Sequence, residues 1–449
     1  MIKNSVPREH PFLKSPHRTL VSLSIPVLLS LIAEPVTGLV DTAFVSRLGS
    51  ESLAALGVGT MSLSSVFWVF NFLGIGTQTE VSQSLGRQDQ SRASRISGLA
   101  VFLGLFIGLM LIVIGILMAS PVAYLMGASG EVHRQAVNYM QIRLFGAPAV
   151  LVTIAAFGAL RGLQDMRTPL KVAVCINGLN VVLDALLIFG FGPIQPLGVA
   201  GAAAASAVSQ WVGAGWLVLS LFRRLGFPDR PRGSDLKKLL RIGGDLFIRT
   251  GLLTLFLLIC TRAATRIGPD AGAAHQAIRQ VWIFTALFLD AFAIAGQSLI
   301  GYFKGSQMID PARRVAWVVC TWSFGTGLVL GLLLWFGRVP VAHVLVPVSA
   351  RHLFIPAWLV IAGAQPLNAL SFATDGIHWG TGDYGYLRNV VLLATMCGGI
   401  AIMFLDVSRS GSLTWIWAIT AGWIFIRALF GILRIWPGIG KSRLTKIVP

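Results

Sequence analysis

Apolar runs of about 20 residues recur along this chain, the length a helix needs to cross the hydrocarbon core of a bilayer. Lipid offers no hydrogen-bond partner to a bare backbone, so a spanning chain must be helical or form a closed barrel. Barrel strands alternate in polarity over about 10 residues, whereas these runs are longer and continuously apolar. The expected fold class is therefore an all-α integral membrane protein. Only 12% of the residues are charged, about half the share of a soluble domain, and the mean hydropathy is +0.75.

A formal net charge of +18 would point to nucleic acid in a soluble protein. Here the basic residues occupy short segments between apolar runs, and no basic domain is left to hold a duplex. The better reading is topological, because Lys and Arg accumulate on the cytoplasmic side. The four cysteines, Cys175, Cys260, Cys320 and Cys397, all fall inside apolar runs without a CxxC pair, which argues against a disulfide framework or a zinc site. Residues 1–18 are basic and broken by proline, and read as a cytoplasmic tail rather than a cleavable signal.

Charged or Gly/Pro-rich breaks divide the chain into twelve spans, at about 18–46, 52–83, 93–120, 132–160, 169–191, 196–222, 237–265, 271–303, 313–337, 351–379, 385–406 and 412–436. One set of alternate connections holds Lys3, Arg8, Lys14, Arg87, Arg92, Arg95, Arg161, Arg167, Lys171, Arg313, Arg314, Arg388, Lys441, Arg443 and Lys446. The other holds mainly Arg47, Arg134, Arg266, Arg338, Arg351 and Arg409. This bias places both termini in the cytoplasm of a multi-pass protein of the cell membrane. The longest charged connection, 223–241, carries two prolines and seven basic residues near the midpoint. The expected organisation is an N-terminal tail (1–17), an N-lobe (18–222), a cytoplasmic linker (223–236), a C-lobe (237–436) and a C-terminal tail (437–449).

The two halves read as repeats. The segment RLGSESLAALGVG at 47–59 resembles RIGPDAGAAHQAI at 266–278, an offset of 219 that also pairs Gly86 with Gly305 and Arg95 with Arg314. At an offset of 218, Gly158, Gly162 and Asp165 pair with Gly376, Gly380 and Asp383. Because the offset covers an even number of spans, the repeats have parallel topology, an arrangement in which transporters bind substrate near the repeat interface.

Specific strings carry a family resemblance. Residues 24–59 run SIPVLLSLIAEPVTGLVDTAFVSRLGSESLAALGVG, followed by GIGTQTEVSQSLGRQD at 74–89, ALRGLQDMRTPL at 159–170 and NGLNVVLDALLIFG at 177–190. Together they resemble the multidrug and toxic compound extrusion (MATE) family. LVDTAFVSRLG, LDAFA at 289–293 and TDGIHWGTGDYGYLRN at 374–389 resemble its DNA-damage-inducible, DinF-type branch. The resemblance implies twelve helices in two pseudo-symmetric six-helix lobes that export amphipathic, often cationic, organic compounds against inward H+ or Na+. It implies no cofactor beyond the coupling ion. It also implies that Asp41, Asn180, Asp184 and Tyr139 stand at N-lobe cavity positions of proton-coupled prokaryotic members. The chain departs from the pattern at Glu34, where a neutral polar residue is common, and at Phe157, which replaces a polar one.

Helix geometry brings the same residues to one level. Asp41 lies about 9 Å below the outer end of the first span, while Asp184 in the fifth and Tyr139 in the fourth each lie about 10 Å deep. Asn180 and Asn177 share a helical face with Asp184, and Glu34 stands two turns before Asp41. A carboxylate within a membrane span is costly and ordinarily marks an ion or substrate path. Burial and a second nearby carboxylate both favour a bound proton. The expected N-lobe site therefore has Asp41 and Asp184 as the cation-coupling pair and Tyr139, Asn180, Asn177 and Glu34 lining its cavity, with proton and cationic substrate in competition. The alternative is that the two acids cap broken helices or bond to neighbouring Ser and Thr. Their repeat counterparts are Cys260 and Ile402, so the shared architecture does not require the pair.

Asp290 and Asp375 in the second half either form a C-lobe ion site or serve as charge partners, Arg249 and Arg279 being candidates for Asp290. His275 and His378 are isolated and read as hydrogen-bonded helix residues, with no metal site. Pro26 and Pro35 in the first span remove helical hydrogen bonds and are candidate hinges.

The expected function is secondary active drug or xenobiotic efflux by cation antiport, with H+ preferred to Na+, in a protein that works as a monomer among membrane lipids. A flippase for a lipid-linked precursor would need a more basic cavity than Arg143 and Arg249 supply. No P-loop, HExxH, Ser/His/Asp order or cofactor fingerprint speaks for an enzyme.

Overall fold

The computed structural model describes residues 10–193, 195–440 and 442–444. Of the basic residues used for topology, Lys3, Arg8, Lys441 and Lys446 lie outside the described residues. Among the described residues, eleven helical segments are long and apolar enough to span a membrane, and a helix pair bent by 50°, taken as one span, makes the twelfth. They are α1 (Pro16–Leu48), α2 (Ser50–Gly86), α3 (Gln90–Leu125), α4 (Gly130–Leu144 with Ala147–Gly162), α5 (Arg167–Phe189) and α6 (Val199–Leu225). The second half contributes α7 (Gly233–Ile267), α8 (Pro269–Gly305), α9 (Ile309–Leu345), α10 (Val348–Thr381), α11 (Tyr384–Met403) and α12 (Ser412–Ile435).

The repeat is written into the backbone as well as the sequence. Gly49 closes α1 at φ +111 and Gly268 closes α7 at φ +150, one repeat apart. Gln88 and Gln307, also one repeat apart, both take φ 59, a left-handed conformation uncommon for a side chain of that size. Gln164 (φ 61) has Gly382 (φ 74) as its counterpart. Helix packing repeats too. A Cβ on Gly158 would strike the Gly74 carbonyl, and one on Gly376 would strike the Ala293 carbonyl. One turn on, Gly162 and Gly380 approach the carbonyls of Gln78 and Gln297, where a Cβ would stand at 2.7 and 2.6 Å.

The chain packs as two compact units, Leu29–Gly243 and a second formed by residues up to Leu28 together with Gly244 onward. The divisions between these units fall within α1, at 28/29, and within α7, at 243/244. Side-chain packing accounts for both positions. Phe12 and Leu20 are fully buried in a cluster with Leu299, Phe303 and Val319, which draws the start of α1 into the second unit. The start of α7 is held to the first unit by Lys238 on Glu80 at 2.7 Å and by Asp235 facing Arg92 and Arg95. The helix-free linker shrinks to residues 226–232. The described part of the C-terminal tail is anchored rather than loose: Leu444 is buried and Arg443 lies 3.4 Å from Asp383.

Candidate functional site

Four helices of the first unit bring polar side chains together. α1 supplies Asp41, α5 supplies Asn180 and Asp184, the first arm of α4 supplies Tyr139, and α6 supplies Ser206. Asp184 is 0% exposed and Asn180 3%, while Asp41 is half-buried. The Asn180 amide satisfies both ends in one orientation. Its nitrogen donates to Asp41 Oδ1 at 3.1 Å, and its oxygen accepts from the Ser206 hydroxyl and backbone N–H, each at 3.3 Å. The Asp41 and Asp184 carboxyls face each other within hydrogen-bonding reach. Ionised carboxylates only accept, so a hydrogen bond between the two requires a proton on one of them.

Tyr139 is 3% exposed beside the pair. Its ring fits only because residue 59 of α2 is glycine, where a Cβ would collide with the ring. Arg143 follows four residues later on the same helical face, stands beside Tyr139 and acts electrostatically on Asp41. Its guanidinium lies 5.8 Å from the centre of the Phe67 ring, and its Nη1 is buried without a hydrogen-bond partner. The sequence-derived cavity set thus gathers at Asp41, Asp184, Asn180 and Tyr139. Asn177 is half-buried one turn earlier on α5, and Glu34 is exposed. Neither hydrogen-bonds to the acid pair. Ser206 and Arg143 complete the cluster. Arg143 was legible from its spacing to Tyr139, whereas Ser206 carries no signal within its alanine-rich helix.

The second unit treats its acids differently. Asp375 of α10 is buried and forms ion pairs with two buried arginines, Arg249 of α7 and, at 2.8 Å, Arg427 of α12. Arg427 also stacks 4.5 Å from the Trp423 ring centre, and Arg249 lies 5.2 Å from that of Trp379. Arg249 therefore serves Asp375, while Asp290 is half-buried on α8. Cys260 and Ile402, the repeat counterparts of Asp41 and Asp184, sit in the apolar core of this unit, with Cys260 Sγ 3.8 Å from the Thr420 hydroxyl. Among the described residues, no three His, Cys, Asp or Glu side chains gather closely enough to hold a metal ion. α1 continues as helix through both Pro26 and Pro35.

Twelve membrane-length helical segments in two repeated halves, with an interacting acid pair in the first, define a polytopic membrane transporter. The MatE family model matches residues 26–186 and 246–405, one block in each half, and the chain belongs to the MatE family of multidrug and toxin extrusion transporters. It is 30% identical to protein DETOXIFICATION 44, chloroplastic, of Arabidopsis thaliana, over 96% of this chain and 84% of that protein. It is 27% identical to DNA damage-inducible protein F of Escherichia coli, over 95% and 93% of the two chains. Among solved structures, MATE in the bent conformation superposes with a TM-score of 0.87 at 22% identity, covering 96% of each chain. A MOP superfamily transporter from Pyrococcus furiosus gives a TM-score of 0.85 at 22% identity, with the same coverage.

Proposed function

We propose that this protein is a proton-coupled exporter of small amphipathic organic compounds, mostly cations, acting as a monomer in the cell membrane with both termini in the cytoplasm. The observation that carries the reading is the Asp41–Asp184 pair with Asn180 fixed on Asp41. One proton held between the carboxyls makes the pair a single negative charge, and releasing it makes a double one. A cationic substrate binds the doubly charged pair better, so proton entry weakens substrate binding and favours release. Alternating access then needs the cavity to change shape with protonation, and Pro26 and Pro35 give α1 two points at which its hydrogen-bond ladder is weakened. Coupling stays in the N-terminal half, because Asp375 is already engaged by two arginines.

The test uses purified protein in proteoliposomes with H+ and Na+ gradients imposed separately. Ethidium-type dye efflux should follow the H+ gradient, dissipate it, and disappear in Asp41→Asn with normal insertion. A Pro26→Ala/Pro35→Ala protein should transport slowly while still binding dye. Efflux driven by Na+ alone, or undiminished in D41N, overturns the proton reading. Normal turnover in the double proline variant overturns the hinge.

A further inference from the structure

Between α2, α3 and the first turns of α7, the first unit opens an apolar groove walled by Phe72, Thr77, Leu103, Ile107 and Leu239, with Leu240 at its lip. Leu240 is 55% exposed. Thr77 is fully buried in the groove wall, yet its hydroxyl has no hydrogen-bond partner. A helical Thr ordinarily bonds back to the preceding turn, so an orphaned hydroxyl here asks for an acceptor.

Lys237, Leu240 and Arg241 stand at i, i+3 and i+4 and share one face of α7. Both basic side chains are exposed, and neither has an ion-pair or hydrogen-bond partner among the described residues. Their neighbours differ: Lys238 is paired with Glu80, and Asp235 faces Arg92 and Arg95. Those pairs, and Gly76, where a Cβ would stand 3.1 Å from Ile242, fix this part of α7 against α2. The groove and the two unpaired cations beside it are therefore held in place before any occupant arrives.

We propose that this groove is a binding site for an anionic phospholipid. One acyl chain lies along Phe72, Leu103 and Ile107, the phosphate sits between Lys237 and Arg241, and an ester carbonyl accepts from the Thr77 hydroxyl. A neutral lipid fills the groove but leaves two cations unanswered, and a free phosphate does the reverse. Only an amphipathic anion answers both.

Delipidated protein in detergent is titrated with phosphatidylglycerol, phosphatidylcholine of the same chains, and glycerol phosphate, and bound ligand is read by native mass spectrometry. The wild type should retain phosphatidylglycerol over phosphatidylcholine. Lys237→Ala/Arg241→Ala should weaken phosphatidylglycerol about 30-fold and leave phosphatidylcholine unchanged, since each basic residue near an anionic headgroup contributes about 1 kcal/mol. Leu103→Trp, which fills the groove, should weaken both lipids. The proposal is overturned if the double variant binds as the wild type does, or if glycerol phosphate binds as tightly as the lipid. It is also overturned if Arg230→Ala/Arg232→Ala, in the adjoining linker, costs as much, because generic charge would then suffice.

Discussion

Asn180 holds Asp41, donating to one carboxylate oxygen at 3.1 Å while Ser206 fixes the other end of the amide. The asparagine thus sets where the half-buried carboxylate points, and Asp184 meets it from the same helix that carries Asn180. A residue with no charge of its own governs the geometry of the one acid pair that the repeat does not duplicate.

Asn180→Leu removes that donor while keeping the number and branching of the heavy atoms. A hydrogen bond to a charged group contributes about 1.5–3 kcal/mol. Proton-driven efflux by N180L should therefore fall roughly ten- to hundredfold at unchanged membrane abundance, measured in proteoliposomes. A rate within twofold of the wild type would contradict the role given to Asn180.

Asp375 is the single buried counter-charge for Arg249 and Arg427 in its cluster. Asp375→Asn leaves two guanidinium groups uncompensated, and breaking a buried pair costs about 3–5 kcal/mol. The thermal unfolding midpoint in detergent should drop sharply. Arg249→Met/Asp375→Leu/Arg427→Met, which removes all three charges together, should recover most of that loss. If D375N melts with the wild type, the triad is not what holds α7, α10 and α12 together.

Gly158 and Gly376 occupy equivalent helix crossings in the two units, each with a main-chain carbonyl where a Cβ would go. Gly158→Ala and Gly376→Ala should each destabilise by about 1–3 kcal/mol, the usual cost of overpacking. Gly363→Ala, with nothing within 4 Å of its Cβ, provides the contrast. It should be neutral or slightly stabilising, because alanine is the better helix former. Equal responses at all three positions would refute close packing as the reason for the paired glycines.

Much of this architecture was legible in the chain itself. Twelve spans follow from apolar length alone, because lipid permits no other way to satisfy the backbone. The repeat followed from RLG at 47–49 and RIG at 266–268, and the matching glycine conformations at 49 and 268 are its physical counterpart. Helical rise puts Asp41, Asp184 and Tyr139 on one level from spacing alone, and their side chains interact in one cluster.

Tertiary structure alone decided what each charge faces. Nothing in the spacing distinguishes Asp375 from Asp41, since both are single acids in apolar helices. Which one meets a second acid and which meets two arginines depends on how helices far apart in sequence rotate against each other. The unit boundaries at 28/29 and 243/244 were hidden for the same reason. Polarity marks where a helix leaves the membrane, but burial of Phe12 and Leu20 and the ion pairs of Asp235 and Lys238 decide which unit it belongs to. Local sequence carries length and periodicity. The partner of a buried charge is a property of the packed molecule.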